Sequence, residues 1–314
     1  MTRRISIGLG VADFPFSGAG PFWRWVDLCE EGGIDSIWQS DRLIGAQPFL
    51  ETMSALAALA GRTRRLKFGM NVLSLAQRDP VLVAKQCATI DFLSGGRLLP
   101  AFGVGSDAGP EWAALGIDPR TRGGRMDEAL EIVSRLWRED SVDFAGVHFR
   151  FSGVQIAPRP AQAELPLWIG GSSKAAIRRT ATWGTGWQGG IDTPQGAGRT
   201  IAAIKAALAG TGRTIDDDHY GIGFPFRFGR ADDHPAIAAT MKAYGAYGGI
   251  DPGAYFAIGD AATILGRLAD YIKIGASKFI LRPLGFGDAE MMAQTERLIA
   301  EVLPAAPKQV EAGA

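Results

Sequence analysis

The chain has 314 residues, 46% of them hydrophobic, enough for one large α/β domain or two smaller ones. Thirty-three basic residues balance thirty-three acidic ones with no block of like charge, which excludes the electrostatic footprint of a nucleic-acid or anionic-membrane binder. No apolar stretch reaches spanning length, the apolar run in "MTRRISIGLG" is too short for a signal-peptide core, and Cys29 and Cys87 form neither metal spacing nor an expected disulfide. The expectation is a cytoplasmic protein that acts on a small molecule.

In chain order, β-prone runs occur at 5–11, 36–40, 66–74, 98–105, 167–171, 186–190, 219–229 and 278–283. Helical patterns separate them. Asp79-Pro80 supplies an N-cap and N1 residue, Val83, Cys87 and Ile90 share one face, and Gly95 closes the helix. Residues 126–138 place Met126, Leu130, Val133 and Trp137 on one stripe, and 260–275 do the same with Ile264, Leu268, Tyr271 and Ile272. Eight continuous apolar strands joined by helices predict an α/β fold, a single (β/α)₈ TIM barrel over 1–304. Two connections are too long for plain loops, so lid insertions are expected after strands 4 and 7, at about 106–166 and 230–259. The first carries a hairpin pattern around Ala145-Gly146, the second a possible extra helix. The Ala/Pro/Gly-rich 305–314 reads as a flexible tail.

"GVGSDA" at 103–108 satisfies the loose dinucleotide fingerprint. The residues that follow contain two prolines and then a helix bearing the candidate acids Asp127 and Glu128, which is wrong for that motif. In a barrel, Gly103 and Gly105 fall instead at the C-terminal end of strand 4, with Ser106 and Asp107 beside them.

The strand ends lack several chemistries. His148, His219 and His234 lie away from them, so no metal set forms; the only plausible carboxylates are Asp41 and Asp107; and Lys67 and Lys278 start strands rather than end them. A cofactor must then carry the reaction. "LWIGGSSKAAIRR" runs from a strand through Gly170, Gly171, Ser172 and Ser173 into a helix, either as a phosphate cup or as a plain turn with a serine N-cap. Asp41 and Arg42 read either as site residues or as a local ion pair at the rim. The tryptophans are core by default, with Trp112 placed to face a ligand ring, and Phe14, Phe224 and Phe226 fit an apolar pocket or plain core.

The stretch "RDPVLVAKQCATIDFLSGGRLLPAFGVGS" (78–106), with "RMDEALEIVSRLW", "LPLWIGGSSKAAIRRTATWGTGW" and "GDAATILGRLADYIKIGASKFILRP", resembles the bacterial luciferase-like flavin-dependent oxidoreductases, a family that includes deazaflavin (coenzyme F-420) enzymes. The resemblance implies a TIM barrel with the ring at the strand C-termini, a phosphate tail near 170–173, and a non-prolyl cis peptide at Asn71-Val72. The expected cofactor contacts are Gly10, Asn71, Val72, Gly105, Ser106, Gly170, Gly171, Ser172 and Ser173. Many members carry a His after the Asp that follows strand two; here it is Arg42, suited to charge stabilisation or anion binding rather than proton donation. The leading expectation is a monooxygenase using reduced FMN and oxygen on a small organic substrate, with a separate flavin reductase as partner. The alternatives are an F-420-dependent hydride-transfer enzyme, a non-catalytic flavin-binding protein, and a cofactor-free barrel. The resemblance also implies a homodimer.

Overall fold

A computed structural model describes residues 2–106 and 108–311; Asp107, offered above as a strand-end carboxylate, lies outside the described residues. The predicted strands form at β1 (Ser6–Val11), β2 (Ser36–Gln39), β3 (Lys67–Met70), β4 (Leu98–Leu99 and Ala101–Gly103), β5 (Trp168–Gly170), β6 (Gly186–Gln188), β7 (Tyr220–Phe228) and β8 (Lys278–Pro283). All pair in parallel, β1 to β2, β3 and β4 in one direction and β1 to β8, β7, β6, β5 and β4 in the other. Pro100 divides β4 because it has no N–H for the ladder. Leu98–Leu99 bond to β3 while Ala101 and Phe102 bond to β5, so the sheet curls back upon itself.

Helices cover the outside: α1 (Ala19–Glu31), α2 (Thr52–Arg62), α3 (Pro80–Ser94), α4 (Glu111–Ala114), α5 (Arg122–Leu136), α6 (Lys174–Trp183), α7 (Pro194–Leu208), α8 (Pro235–Gly248), α9 (Pro252–Tyr255), α10 (Ala261–Lys273) and α11 (Asp288–Arg297). The ends of α3 follow from sequence: Asp79 accepts the Leu82 N–H at 2.9 Å, Pro80 opens the first turn, and Gly95 takes the left-handed conformation at φ 66°. Among the described residues no helix is long and apolar enough to cross a membrane.

Tryptophans plug the interior of the curled sheet. Trp38 and Trp168 lie 6.3 Å apart, packed with Ala101 and Ile280. A Cβ on Gly69 would come within 2.6 Å of the Trp38 ring, and one on Gly186 within 2.4 Å of the Trp168 ring. These strand glycines exist because the indoles occupy their side-chain space.

Between β4 and β5 lie α4, α5 and an antiparallel hairpin, Val142–Ala145 with Arg150–Val154, turning where expected. The hairpin is bound to the outer helix: the Glu128 carboxylate on α5 accepts the N–H groups of Val147, His148 and Phe149. Between β7 and β8 come α8, α9, a short strand Ala257–Gly259 that pairs with β7, and α10. The tail corrects an expectation. Gln309–Glu311 pairs antiparallel with Thr2–Arg4 and Ala306 is buried, so the chain stays attached through residue 311; the backbone groups of Thr2–Arg4 supply the partners that composition alone does not reveal. Residues 312–314 lie outside the described residues.

Candidate active site

The peptide bond Asn71-Val72 just after β3 is cis, as the resemblance implied. Leu73 and Ser74 then pair with Phe102 and Gly103 at the end of β4. Val72 is packed over two glycines: a Cβ on Gly103 would lie 2.6 Å from its Cγ2 and one on Gly170 2.8 Å from its Cγ1. The room left by Gly103 is therefore taken by Val72, not by a ligand ring. Gly105 adopts φ +80°, beneath Ser74 Oγ (3.3 Å to an added Cβ) and the Trp112 ring (3.4 Å). Trp112, expected to face a ligand, is buried, and its Nε1 donates to the Ser106 carbonyl at 2.6 Å. The exposed Ser106 accepts the Ala108 N–H. These residues brace the strand end; none lines the cavities described below.

Asp41 is buried in a dense set of contacts. Its Oδ1 accepts from Arg78 Nη2 at 2.7 Å and Thr52 Oγ1 at 2.9 Å, and its Oδ2 from Arg78 Nη1 at 2.8 Å and the Ser74 N–H at 2.9 Å. The local ion pair with Arg42, one of the two readings of this pair, does not form, because Arg42 turns outward and sets its guanidinium over the Phe49 ring at 4.9 Å. Asp41 is a positioning residue for the loop that carries Asn71 and Val72. Arg78 was missed: in the sequence it reads only as the residue before the α3 cap.

Two adjoining cavities open at the C-terminal ends of the strands. The inner one, about 190 Å³, is lined by residues that include Gly10, Asn71, Gly190, Phe224, Tyr244 and Arg282. The outer, about 520 Å³, adds Phe14, Pro48, Leu284, Phe286 and Met291, and shares Gly10, Tyr244 and Arg282 with the first. Phe224 stacks on Tyr271 (centroids 5.6 Å) and still reaches the inner cavity. Phe226 does not: it is fully buried edge-on against Phe228, so its place is core packing.

Among the described residues lining the inner cavity, no carboxylate or histidine occurs. Burial pushes the Tyr244 phenol up, Arg282 opposes this and Asp13 adds to it, with a net upward shift. Burial also raises Tyr255, on the same wall. Both stay protonated at neutral pH and offer O–H donors. Tyr244 and Tyr255 were missed because both lie in the segment read as a lid.

At the end of β5, Gly171 (φ +99°) donates its N–H to the Gln188 carbonyl at 3.0 Å. Ser173 caps α6 by accepting the Ala176 N–H, so the plain N-cap reading is realised there. Ser172 Oγ donates to Asp192 Oδ2 at 2.7 Å, and the same oxygen accepts the Gly190 N–H at 3.0 Å. Asp192 thus links the turn to the inner cavity. The other first-turn N–H groups of α6 are those a helix leaves without internal partners.

A family profile described as "Luciferase-like monooxygenase" matches residues 17–269. The chain belongs to the luciferase-like monooxygenase family. This luciferase-like protein is 37% identical over 169 residues to an uncharacterized protein of Mycobacterium tuberculosis (strain ATCC 25618 / H37Rv), 54% of this chain and 57% of that one. It is 31% identical over 203 residues to the F420-dependent glucose-6-phosphate dehydrogenase of Microbacterium testaceum (strain StLB037), covering 60% and 59% of the two chains. The chain therefore spans a little under three-fifths of these curated relatives' lengths. In fold, it superposes on the monooxygenase RslO1 from Streptomyces bottropensis with a TM-score of 0.83, 19% identity, and coverage of 96% and 99%.

Proposed function

We propose that this luciferase-like protein is an oxidoreductase that consumes reduced FMN and molecular oxygen to oxygenate a small organic substrate held in the paired cavities, one oxygen atom entering the substrate and the other leaving as water. The observation that carries this reading is the lining of the inner cavity. Taking a hydride from an alcohol requires a base for the accompanying proton, and no carboxylate or histidine lines that space. Reduction of oxygen develops negative charge on it, which the protonated phenols of the inner cavity would stabilise.

The residues fit a flat ring. Gly190 lines the inner cavity, and a Cβ there would meet nothing closer than Asp192 at 4.0 Å, whereas the side-chain space of Gly10, Gly189 and Gly223 is filled by Ile280 and Ile222. Asn71 lines this cavity and would contact the ring, in a loop held by Val72 clamped over Gly103 and Gly170. The first-turn N–H groups of α6 with Ser172 and Ser173 would hold the phosphate. When bound, the reduced ring supplies the electrons, by hydride transfer or through oxygen. The residues of the chain orient the substrate, donate protons from Tyr244 and Tyr255, and keep water from the inner cavity. A separate reductase belongs to this reading as the source of reduced FMN.

Coenzyme F-420 is the second reading, supported by the relative named as an F420-dependent dehydrogenase. The same cavity and turn would serve its ring and phosphate, with the chain acting as a reductase. A purely flavin-binding role gives no account of the outer cavity. The test is a fluorescence titration of the purified protein with FMN and F-420, each oxidised and reduced, followed by oxygen-uptake measurements. Tight binding of reduced FMN supports the first reading, preference for reduced F-420 the second, and binding of neither rejects both.

A further inference from the structure

We propose that Arg282, stacked on the Tyr244 ring, forms an oxyanion subsite at the junction of the two cavities, and that the substrate carries a carboxylate or phosphate group there. Arg282, one residue before the end of β8, is half-buried, lines both cavities, and lies with its guanidinium 4.8 Å above the Tyr244 ring. Among the described residues no carboxylate comes within 4.0 Å of it and no acceptor takes its N–H groups. The other arginines near the strand ends are engaged or solvated. Arg78 is locked to Asp41 and Arg227 to Glu290 at 2.8 Å, while Arg42 is fully at the surface.

A surface arginine satisfies its donors with water. A half-buried one pointing into a cavity keeps five N–H donors for whatever enters. The fork matches a planar or tetrahedral oxyanion by two parallel bonds, and stacking on Tyr244 fixes its plane. Asp13, the acidic residue on the outer wall, is exposed and forms no ion pair with it within 4.0 Å, so its charge is screened by solvent. The surroundings define the rest of the ligand. Phe14, Leu284, Phe286 and Met291 give the outer cavity an apolar wall beside the polar Asp13, Gln47 and Thr240, so the body of the molecule packs an apolar face there and its reactive end enters the inner cavity. The substrate class is an organic acid or phosphate ester with an apolar body. The proposal rests on the cofactor reading only in naming the bearer of the anion as substrate.

The experiment is calorimetric titration of the whole protein with benzoate, phenyl phosphate and the neutral benzamide, for wild type, Arg282→Met, Arg282→Lys and Tyr244→Phe. Wild type is expected to prefer at least one anion over benzamide, and the stronger of the two anions identifies carboxylate or phosphate. Arg282→Met should weaken that anion by about ten- to a hundredfold and leave benzamide, FMN and F-420 binding unchanged. Arg282→Lys, which keeps charge without the fork, should fall between. Equal binding of the anions and benzamide to wild type would overturn the proposal even if Arg282→Met does not fold. So would anion binding by Arg282→Met at the wild-type level, and loss of FMN or F-420 affinity in Arg282→Met would assign the arginine to the cofactor. Anion preference in a protein that binds neither cofactor supports the subsite and removes the cofactor reading alone.

Discussion

Asp41 and Arg78 meet in a two-point ion pair, Oδ1 to Nη2 at 2.7 Å and Oδ2 to Nη1 at 2.8 Å, with the Asp41 side chain only 2% exposed. Through the further bonds of Asp41 to Thr52 and the Ser74 N–H, the pair joins the end of β2, the first turn of α2 and the loop that carries Asn71-Val72. Removing one partner of a buried pair leaves the other charge uncompensated. Asp41→Asn should lower stability by ~3 kcal/mol, and cofactor affinity should fall with it. Urea unfolding with an unchanged m-value checks the first part, and an unaltered midpoint would show that the pair holds nothing in place.

Gly103→Ala and Gly170→Ala each drive a methyl into Val72. Each should cost about 1–3 kcal/mol through overpacking and weaken cofactor binding. Val72→Ala made in addition should recover part of the loss. A double-mutant cycle measures this coupling, and simple additivity would mean that Val72 does not fill the glycine space.

At the α6 turn the two serines should separate. Ser173→Ala removes the cap and should cost ~1 kcal/mol with a modest effect on cofactor affinity. Ser172→Glu places a second carboxylate beside Asp192 and should weaken binding of FMN or F-420 strongly by opposing the phosphate. Cofactor affinity equal to wild type in Ser172→Glu would remove the phosphate assignment.

Arg42 stands at the rim over Phe49 with no carboxylate partner among the described residues. Arg42→Ala should change stability by no more than ~0.5 kcal/mol and leave cofactor affinity and turnover within a few-fold of wild type. A large loss of turnover would bring Arg42 into the site.

Acid sensitivity has an identifiable contributor in Glu30, whose carboxylate accepts the N–H groups of Arg64, Arg65 and Leu66. Burial pushes this carboxyl up, but the three N–H bonds and the Arg65 charge outweigh burial and leave it below its usual range. Its stabilisation is therefore complete above the ordinary glutamate value and is lost as pH falls through the depressed one. Glu30→Gln should lower stability at neutral pH and flatten the acid limb of a denaturation series; a parallel limb would contradict this.

The strands and the main helices were legible because periodicity and capping act within a few residues of the chain. Asp79-Pro80 and Gly95 delimit α3 with no help from the rest of the molecule, and the stripes of α5 and α10 show which face must be covered. The number and parallel sense of the strands followed, as did the glycine turn before α6.

Tertiary structure decided what each of these residues does. Asp41 stands next to Arg42 in the chain, yet its partner is Arg78, because β2 and the loop after β3 run side by side. Gly103 announces an opening at a strand end, but only packing shows that Val72 fills it. Tyr244 and Arg282 come from different elements and meet at the cavity junction. Helix and strand patterns are local and can be read in residue order. Ion pairs, filled glycine spaces and cavity walls depend on which distant segments the closed sheet brings together, and that information exists only once the chain has folded.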